Sequence, residues 1–107
     1  MIDIIGEINH LFDKYGEDFN WGIVPEENKF VVELKSETDI SRYNKVIAIA
    51  RSYSCDEVLF FFDDGIYRIY HLTYSTRNAN GYPRYIEFSE GHKVIEYIEK
   101  KYIEEYL

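Results

Sequence analysis

The sequence predicts an α+β domain: a mainly antiparallel sheet of about five strands with three helices packed on it. Three observations carry this. Apolar residues recur at helical spacing near both ends of the chain. The central run Val58-Leu59-Phe60-Phe61-Phe62 is too short for a typical helix and is rich in aromatic residues, so it reads as a strand covered on both faces. Asp63-Asp64-Gly65 then turns the chain back into Ile66–Tyr74, and consecutive strands joined by so short a turn must be antiparallel. At 107 residues the chain falls in the size range of one domain and can bury roughly two-thirds of its unfolded surface without staples.

Residues 2–15 place Ile5, Ile8, Leu11, Phe12 and Tyr15 on a helical repeat, with Asp3 and Glu7 near the start and Gly16 where a left-handed cap would end the helix. Phe19, Trp21 and Ile23 alternate with smaller or polar residues, Pro25-Glu26-Glu27-Asn28 supplies turn chemistry, and Phe30, Val32 and Leu34 alternate again, which reads as a hairpin. From a cap at Thr38 or Asp39, the set Ile40, Tyr43, Val46, Ile47, Ala50 and Tyr53 returns to helical period and predicts a second helix to about Ser54. After the central strand, Asp64-Gly65 alone suits a two-residue turn and Asp63-Asp64-Gly65 a type I turn with Gly65 in a bulge; we adopt the three-residue loop. Ser75–Arg84 is a polar connection that leads to a short strand at Tyr85–Phe88. The last helix opens at Ser89 or Glu90, with Val94, Ile95, Ile98, Tyr102 and Tyr106 on one side and Glu96, Glu99 and Lys100 on the other. The expected order is α-β-β-α-β-β-β-α.

Composition excludes several functional classes. Hydrophobic residues at 46%, with 11 Tyr, 7 Phe and one Trp, exclude a disordered chain. Twelve Lys and Arg against 20 Asp and Glu leave a net charge of −8, which opposes binding to a nucleic-acid backbone, where affinity comes from cations replacing counterions. No uninterrupted apolar run approaches the ~20 residues of a membrane span, and no signal-peptide pattern is present, so a cytoplasmic location is expected. Cys55 is the only cysteine, so neither an intramolecular disulfide nor a Cys-based zinc site can form, and it reads as a buried small hydrophobe. The glycines form no phosphate-binding loop, and nothing in the sequence calls for a cofactor or metal.

Charge is unevenly spread. Gly65–Ile86 holds Arg68, Arg77, Arg84 and His71 but no Asp or Glu, while the flanking segments carry all 20 acids. Acidic clusters at Asp13, Glu17 and Asp18, at Glu26 and Glu27, and at Asp56, Glu57, Asp63 and Asp64 fall at turns and element ends, where side chains stay solvated and can steer a cationic partner. Tyrosine combines a ring face with a hydroxyl and is enriched at interfaces. Tyr43, Tyr102 and Tyr106 sit on apolar helix faces and read as core; Tyr74, Tyr82 and Tyr85 lie in or beside the long connection, with Arg77, and read as contact residues. His10, His71 and His92 show no metal-ligand spacing. Two of them beside Arg68 or a lysine could serve as base and acid on a phosphoester, an alternative that the acidic balance opposes.

A small, acidic, tyrosine-rich α+β chain without a catalytic signature resembles the immunity proteins of bacterial toxin systems, including those that protect against contact-dependent growth inhibition and other polymorphic toxins. The resemblance is one of overall character, carried by Asp56, Glu57, Asp63, Asp64 and the tyrosines of Ile66–Tyr85. It implies a protein that binds and neutralises a toxin domain, frequently a basic nuclease, by covering its active site or an adjacent surface. The expected contact set is Asp56, Glu57, Asp63, Asp64, Tyr74, Arg77, Tyr82 and Tyr85, and the expected partner is a basic protein, not a nucleic acid or a membrane. Other readings are a small histidine enzyme, a nucleic-acid mimic, and a regulatory subunit that oligomerises through the Phe-rich sheet or the last helix.

Overall fold

The computed structural model describes residues 3–16, 19–24, 29–73 and 84–106. In chain order the elements are α1 (Ile4–Tyr15), β1 (Trp21–Ile23), α2 (Lys29–Glu37), β2 (Val46–Ser52), β3 (Glu57–Phe62), β4 (Tyr67–His71), β5 (Arg84–Phe88) and α3 (Gly91–Tyr106). The strands form one antiparallel sheet in the order β1-β2-β3-β4-β5, the α+β class that the sequence predicts. The aromatic run is its central strand. Val58, Leu59, Phe60 and Phe62 are almost wholly buried, because helices cover the sheet on both sides.

Strand alternation divides the core in two. On one face Leu59 and Ile69 meet Ile4, Ile8 and Leu11 of α1 and Val94, Ile98 and Tyr102 of α3. On the other, Val58, Phe60, Phe62 and Leu72 meet Phe30, Val31 and Leu34 of α2. Each such side chain contributes about 1.5–3 kcal/mol when fully removed from water. At the α1–α3 seam, Glu99 accepts from Lys14 Nζ at 2.9 Å and from the Tyr15 hydroxyl at 2.5 Å, and the Tyr15 and Tyr102 rings lie 4.7 Å apart.

The ends of α1 follow the predicted chemistry. Asp3 Oδ1 accepts from the Gly6 N–H at 3.1 Å, and Gly16, at φ 80°, closes the helix with its N–H on Phe12 O. The hairpin between β3 and β4 uses the three-residue loop. Phe62 N donates to Ile66 O at 2.9 Å, Gly65 N donates to Phe62 O at 3.0 Å, and Gly65 takes φ 87°, a conformation that favours glycine.

Two elements differ from the sequence reading, and the observed order is α-β-α-β-β-β-β-α. The segment expected as a strand at Phe30–Lys35 is α2. Phe30, Val31 and Leu34 share one buried helical stripe, and Val32, which the alternation would have buried, is exposed. The segment expected as a helix from Ile40 is a turn followed by β2. Asp39, read as a helix cap, instead accepts from Ser41 N at 2.9 Å in a local turn, and the β-branched run Val46-Ile47-Ala48-Ile49 suits a strand. A bulge at Ile49 turns both Ile49 and Ala50 toward the α1–α3 face. The turn expected at Pro25–Asn28 and most of the connection at Ser75–Arg84 lie outside the described residues. No described helix is long and apolar enough to cross a membrane.

Candidate functional site

The β3–β4 hairpin presents Asp63 and Asp64 at its tip, both exposed, as expected for turn residues. Each is held in place by one backbone bond: Asp63 Oδ2 accepts from Asn44 N at 2.9 Å, and Asp64 Oδ1 from Ile66 N at 3.3 Å. Asp56 is also exposed, but it precedes the other end of β3, roughly 20 Å away at ~3.3 Å per strand residue. The four acids therefore form two groups.

Glu57 departs from the solvated contact residue that the sequence suggested. It is 9% exposed and faces α3, where Oε1 accepts from Lys101 Nζ at 3.2 Å and Oε2 from the Tyr97 hydroxyl at 3.2 Å. Its first duty is to pin β3 to α3, and it is not available to a partner. Cys55 is half-buried beside it and donates weakly to Glu57 and Ser52.

Tyr85 lies on β5 and is 49% exposed. Its cross-strand partner is Tyr70, and the next pair on the same face is Arg68 with Glu87. Tyr74, Arg77 and Tyr82 lie outside the described residues.

Sequence reading missed what stands behind Tyr85. Arg68 is 8% exposed, and its guanidinium sits 4.6 Å from the Tyr85 ring, 5.0 Å from Phe62 and 5.7 Å from Tyr43. Its Nε donates to Glu87 at 2.9 Å, one Nη to the Tyr70 hydroxyl at 2.9 Å and the other to the Tyr43 hydroxyl at 3.2 Å. Arg42 also donates to the Tyr43 hydroxyl and lies over that ring. Tyr43 thus belongs to this cluster and not to a helix face. The Tyr70 and Tyr85 rings are 4.9 Å apart. A buried cation compensated by a carboxylate and two phenols, and covered by three rings, fixes Tyr85 before any partner arrives. Arg68-x-Tyr70 and Tyr85-x-Glu87 share a face once β4 and β5 pair, but the spacing alone does not set that register and so carried no signal in the sequence.

Charge in this cluster is secure. Burial opposes the Arg68 cation, but the bonds to Tyr70 and Glu87 outweigh it and push its pKa up. Burial likewise pushes the Tyr70 hydroxyl up, and the Tyr43 hydroxyl raises Arg42. On the other face, burial raises Tyr97, while at Lys101 the nearby Glu57 carboxylate overcomes burial and raises the ammonium.

All these shifts have one sign. In each, the folded chain keeps a proton that the unfolded chain releases first, so the stabilisation is complete below about pH 10 and is lost as pH rises through the folded values. The urea midpoint should therefore fall between about pH 9 and about pH 11, with part of the phenolate absorbance appearing only on unfolding. Titration of every tyrosine at its ordinary value, with an unchanged midpoint, would contradict this.

The histidines do not converge. His71 pairs with Glu57 at one end of the sheet, His92 lies beside Phe61 and Gly65 at the other, and His10 is on α1. Among the described residues, no group of three or more His, Cys, Asp or Glu side chains is placed to hold a metal ion. Comparison of the chain with protein-family models, with curated proteins and with solved structures finds no match.

Proposed function

We propose that this chain is an immunity or inhibitor protein that binds and neutralises a cognate basic toxin domain in the cytoplasm, through the β4–β5 face and the adjoining hairpin tip. One observation carries the reading: a half-exposed tyrosine, Tyr85, is held on a buried arginine at a sheet face where, among the described residues, α2 reaches across β2 and leaves β5 open, with two exposed carboxylates at the hairpin tip toward the other end of β4. Tyr and Arg dominate binding energy at interfaces, and a pre-ordered side chain loses little entropy on docking. Asp63 and Asp64 add long-range attraction to a cationic cleft. Glu57 is left out of this surface, and Tyr74, Arg77 and Tyr82 adjoin it in sequence.

The two parts act on different rates. Affinity capture from the native host should recover one basic polypeptide at near one-to-one ratio, toxic when expressed without this chain. Against that partner, Tyr85→Ala should speed dissociation roughly thirtyfold, about 2 kcal/mol, with little change in association. Asp63→Asn with Asp64→Asn should slow association and flatten its salt dependence, leaving dissociation nearly unchanged. Unchanged rates in both variants would remove this face from the interface.

A further inference from the structure

The turn between α2 and β2 carries an exposed cation, Arg42. Its guanidinium lies 4.7 Å from the centroid of the Tyr43 ring and donates to the Tyr43 hydroxyl. That ring is a fixed support: it packs on the buried Phe62 ring at 4.5 Å, and its hydroxyl takes a second bond, at 3.2 Å, from Arg68. The backbone is braced on both sides of Arg42. Ser41 N donates to Asp39 Oδ1 at 2.9 Å, Tyr43 N to Ile40 O at 3.1 Å and Asn44 N to Asp63 Oδ2 at 2.9 Å. The last bond ties the turn to the hairpin tip, so Arg42 feels both the Asp64 carboxylate at the tip and the Arg68 guanidinium behind Tyr85.

Two guanidinia thus share one phenol, and their charges are balanced unequally. Arg68 has Glu87 at 2.9 Å. Among the described residues no carboxylate pairs with Arg42, and the Tyr43 hydroxyl occupies one of the five N–H donors that an arginine carries. Asp64 attracts Arg42 only at longer range, and Arg68 repels it. An anion bonded to Arg42 relieves that repulsion, and a guanidinium already laid on a ring loses little freedom when it docks.

We propose that Arg42 receives a carboxylate set within the cationic surface of the partner protein, and that this contact selects the cognate partner among other basic proteins. The inference rests on the function given above and narrows the partner that it names. Charge complementarity identifies the occupant. A nucleic acid brings a continuous row of phosphates, which Asp63 and Asp64 beside the turn repel. A protein surface with cations for Asp63 and Asp64 and one acid for Arg42 meets all three charges with the opposite sign. A surface that is cationic throughout is disfavoured at Arg42, so the same residue that admits the cognate partner penalises the wrong one.

The test uses the whole chain and the basic polypeptide that it captures. Arg42→Gln should raise Kd about tenfold, mainly through faster dissociation, and Arg42→Glu about a hundredfold. The sign of the second effect is decisive, because on a uniformly cationic partner Arg42→Glu would add attraction and tighten the complex. Among single Asp→Lys and Glu→Lys variants of the partner, one should bind Arg42→Glu more tightly than it binds the unaltered chain. In the unaltered complex the Arg42 Nε–H should exchange with water more slowly than in the free chain, a readout that needs no variant to fold. Equal or tighter binding of Arg42→Glu, with Tyr85→Ala still weakening the complex, would overturn this contact and leave the function standing. So would the absence of a rescuing partner variant, or unchanged Nε–H exchange. A short single-stranded RNA that slows Nε–H exchange in the free chain would assign Arg42 to phosphate and overturn it too. Failure to capture any basic polypeptide would remove the function, and this contact with it.

Discussion

Arg68→Ala is expected to destabilise the protein by about 3 kcal/mol, far more than Arg68→Met. The alanine variant removes the donor to Tyr70, whose side chain is 2% exposed, and leaves that hydroxyl without its partner in the core. It also empties the space between the Phe62 and Tyr85 rings. Glu87 suffers less, because at 45% exposure water replaces the lost guanidinium. Methionine restores most of the volume and keeps the rings apart, so replacing the cation by an apolar chain should cost about 1 kcal/mol. Urea unfolding of both variants measures the difference. If alanine costs no more than methionine, the cluster is a surface ion pair with no structural role. The same substitution should loosen Tyr85, so a fall in partner affinity should accompany the fall in stability.

Phe60→Ala should cost about 4 kcal/mol, the usual loss for an aromatic side chain in a packed core. Phe60 is fully buried at the centre of β3, with Ala48 opposite on β2, Arg68 opposite on β4 and the Tyr70 ring 5.9 Å away edge-on. Strands on both sides hold the backbone, so the cavity cannot collapse. Phe61→Ala, one position along, points to the other face and is only partly buried, so it should cost clearly less. Equal losses at the two positions in denaturant titrations would mean that the two faces are not packed as described. A domain of this size has about 5–15 kcal/mol to lose, so both variants should fold at low temperature.

The parts of the fold legible from sequence were those where local and tertiary preferences agree. Val58–Phe62 is apolar on both faces and is followed by Asp-Asp-Gly, so both composition and turn chemistry mark it as a central strand. Phe30–Glu37 was ambiguous: Phe30, Val32 and Leu34 alternate, while Phe30, Val31 and Leu34 form a helical stripe. Only the arrival of Phe60 and Phe62 from elsewhere in the chain selects the stripe. The β2 segment erred the other way, because Val46, Ile47 and Ala50 satisfy a helical repeat within a run that is apolar throughout.

At the candidate site, the exposure of Asp63 and Asp64 was legible because turn residues are exposed for local reasons, and that of Tyr85 because it follows a polar connection into a short strand. Glu57 was not, since its burial depends on Lys101, 44 positions away. The Arg68 cluster was out of reach for the same cause: it joins Tyr43, Phe62, Tyr70 and Tyr85 from four separate stretches of chain. A buried cation has no signature until its partners have been brought together.

The α1–α3 seam bears on how the chain acquires this structure as it is made. Strands β2 to β5 each pair with the next strand in sequence, and those closures are local and fast. Glu99 meets Tyr15 across 84 positions and Lys14 across 85, among the long closures of the described residues. The apolar stripe of α1 leaves the ribosome ahead of the rest of this fold and has its full cover only after α3 has followed. During that interval Ile4, Ile8 and Leu11 have Trp21, Ile49, Leu59 and Ile69 of the earlier strands to pack on but lack Val94, Ile98 and Tyr102 of α3. Contacts that close after the folding transition state leave the folding rate almost untouched and set the rate of unfolding, which is the effect expected of Lys14 and Tyr15 on Glu99: a longer-lived finished molecule and not a faster-forming one.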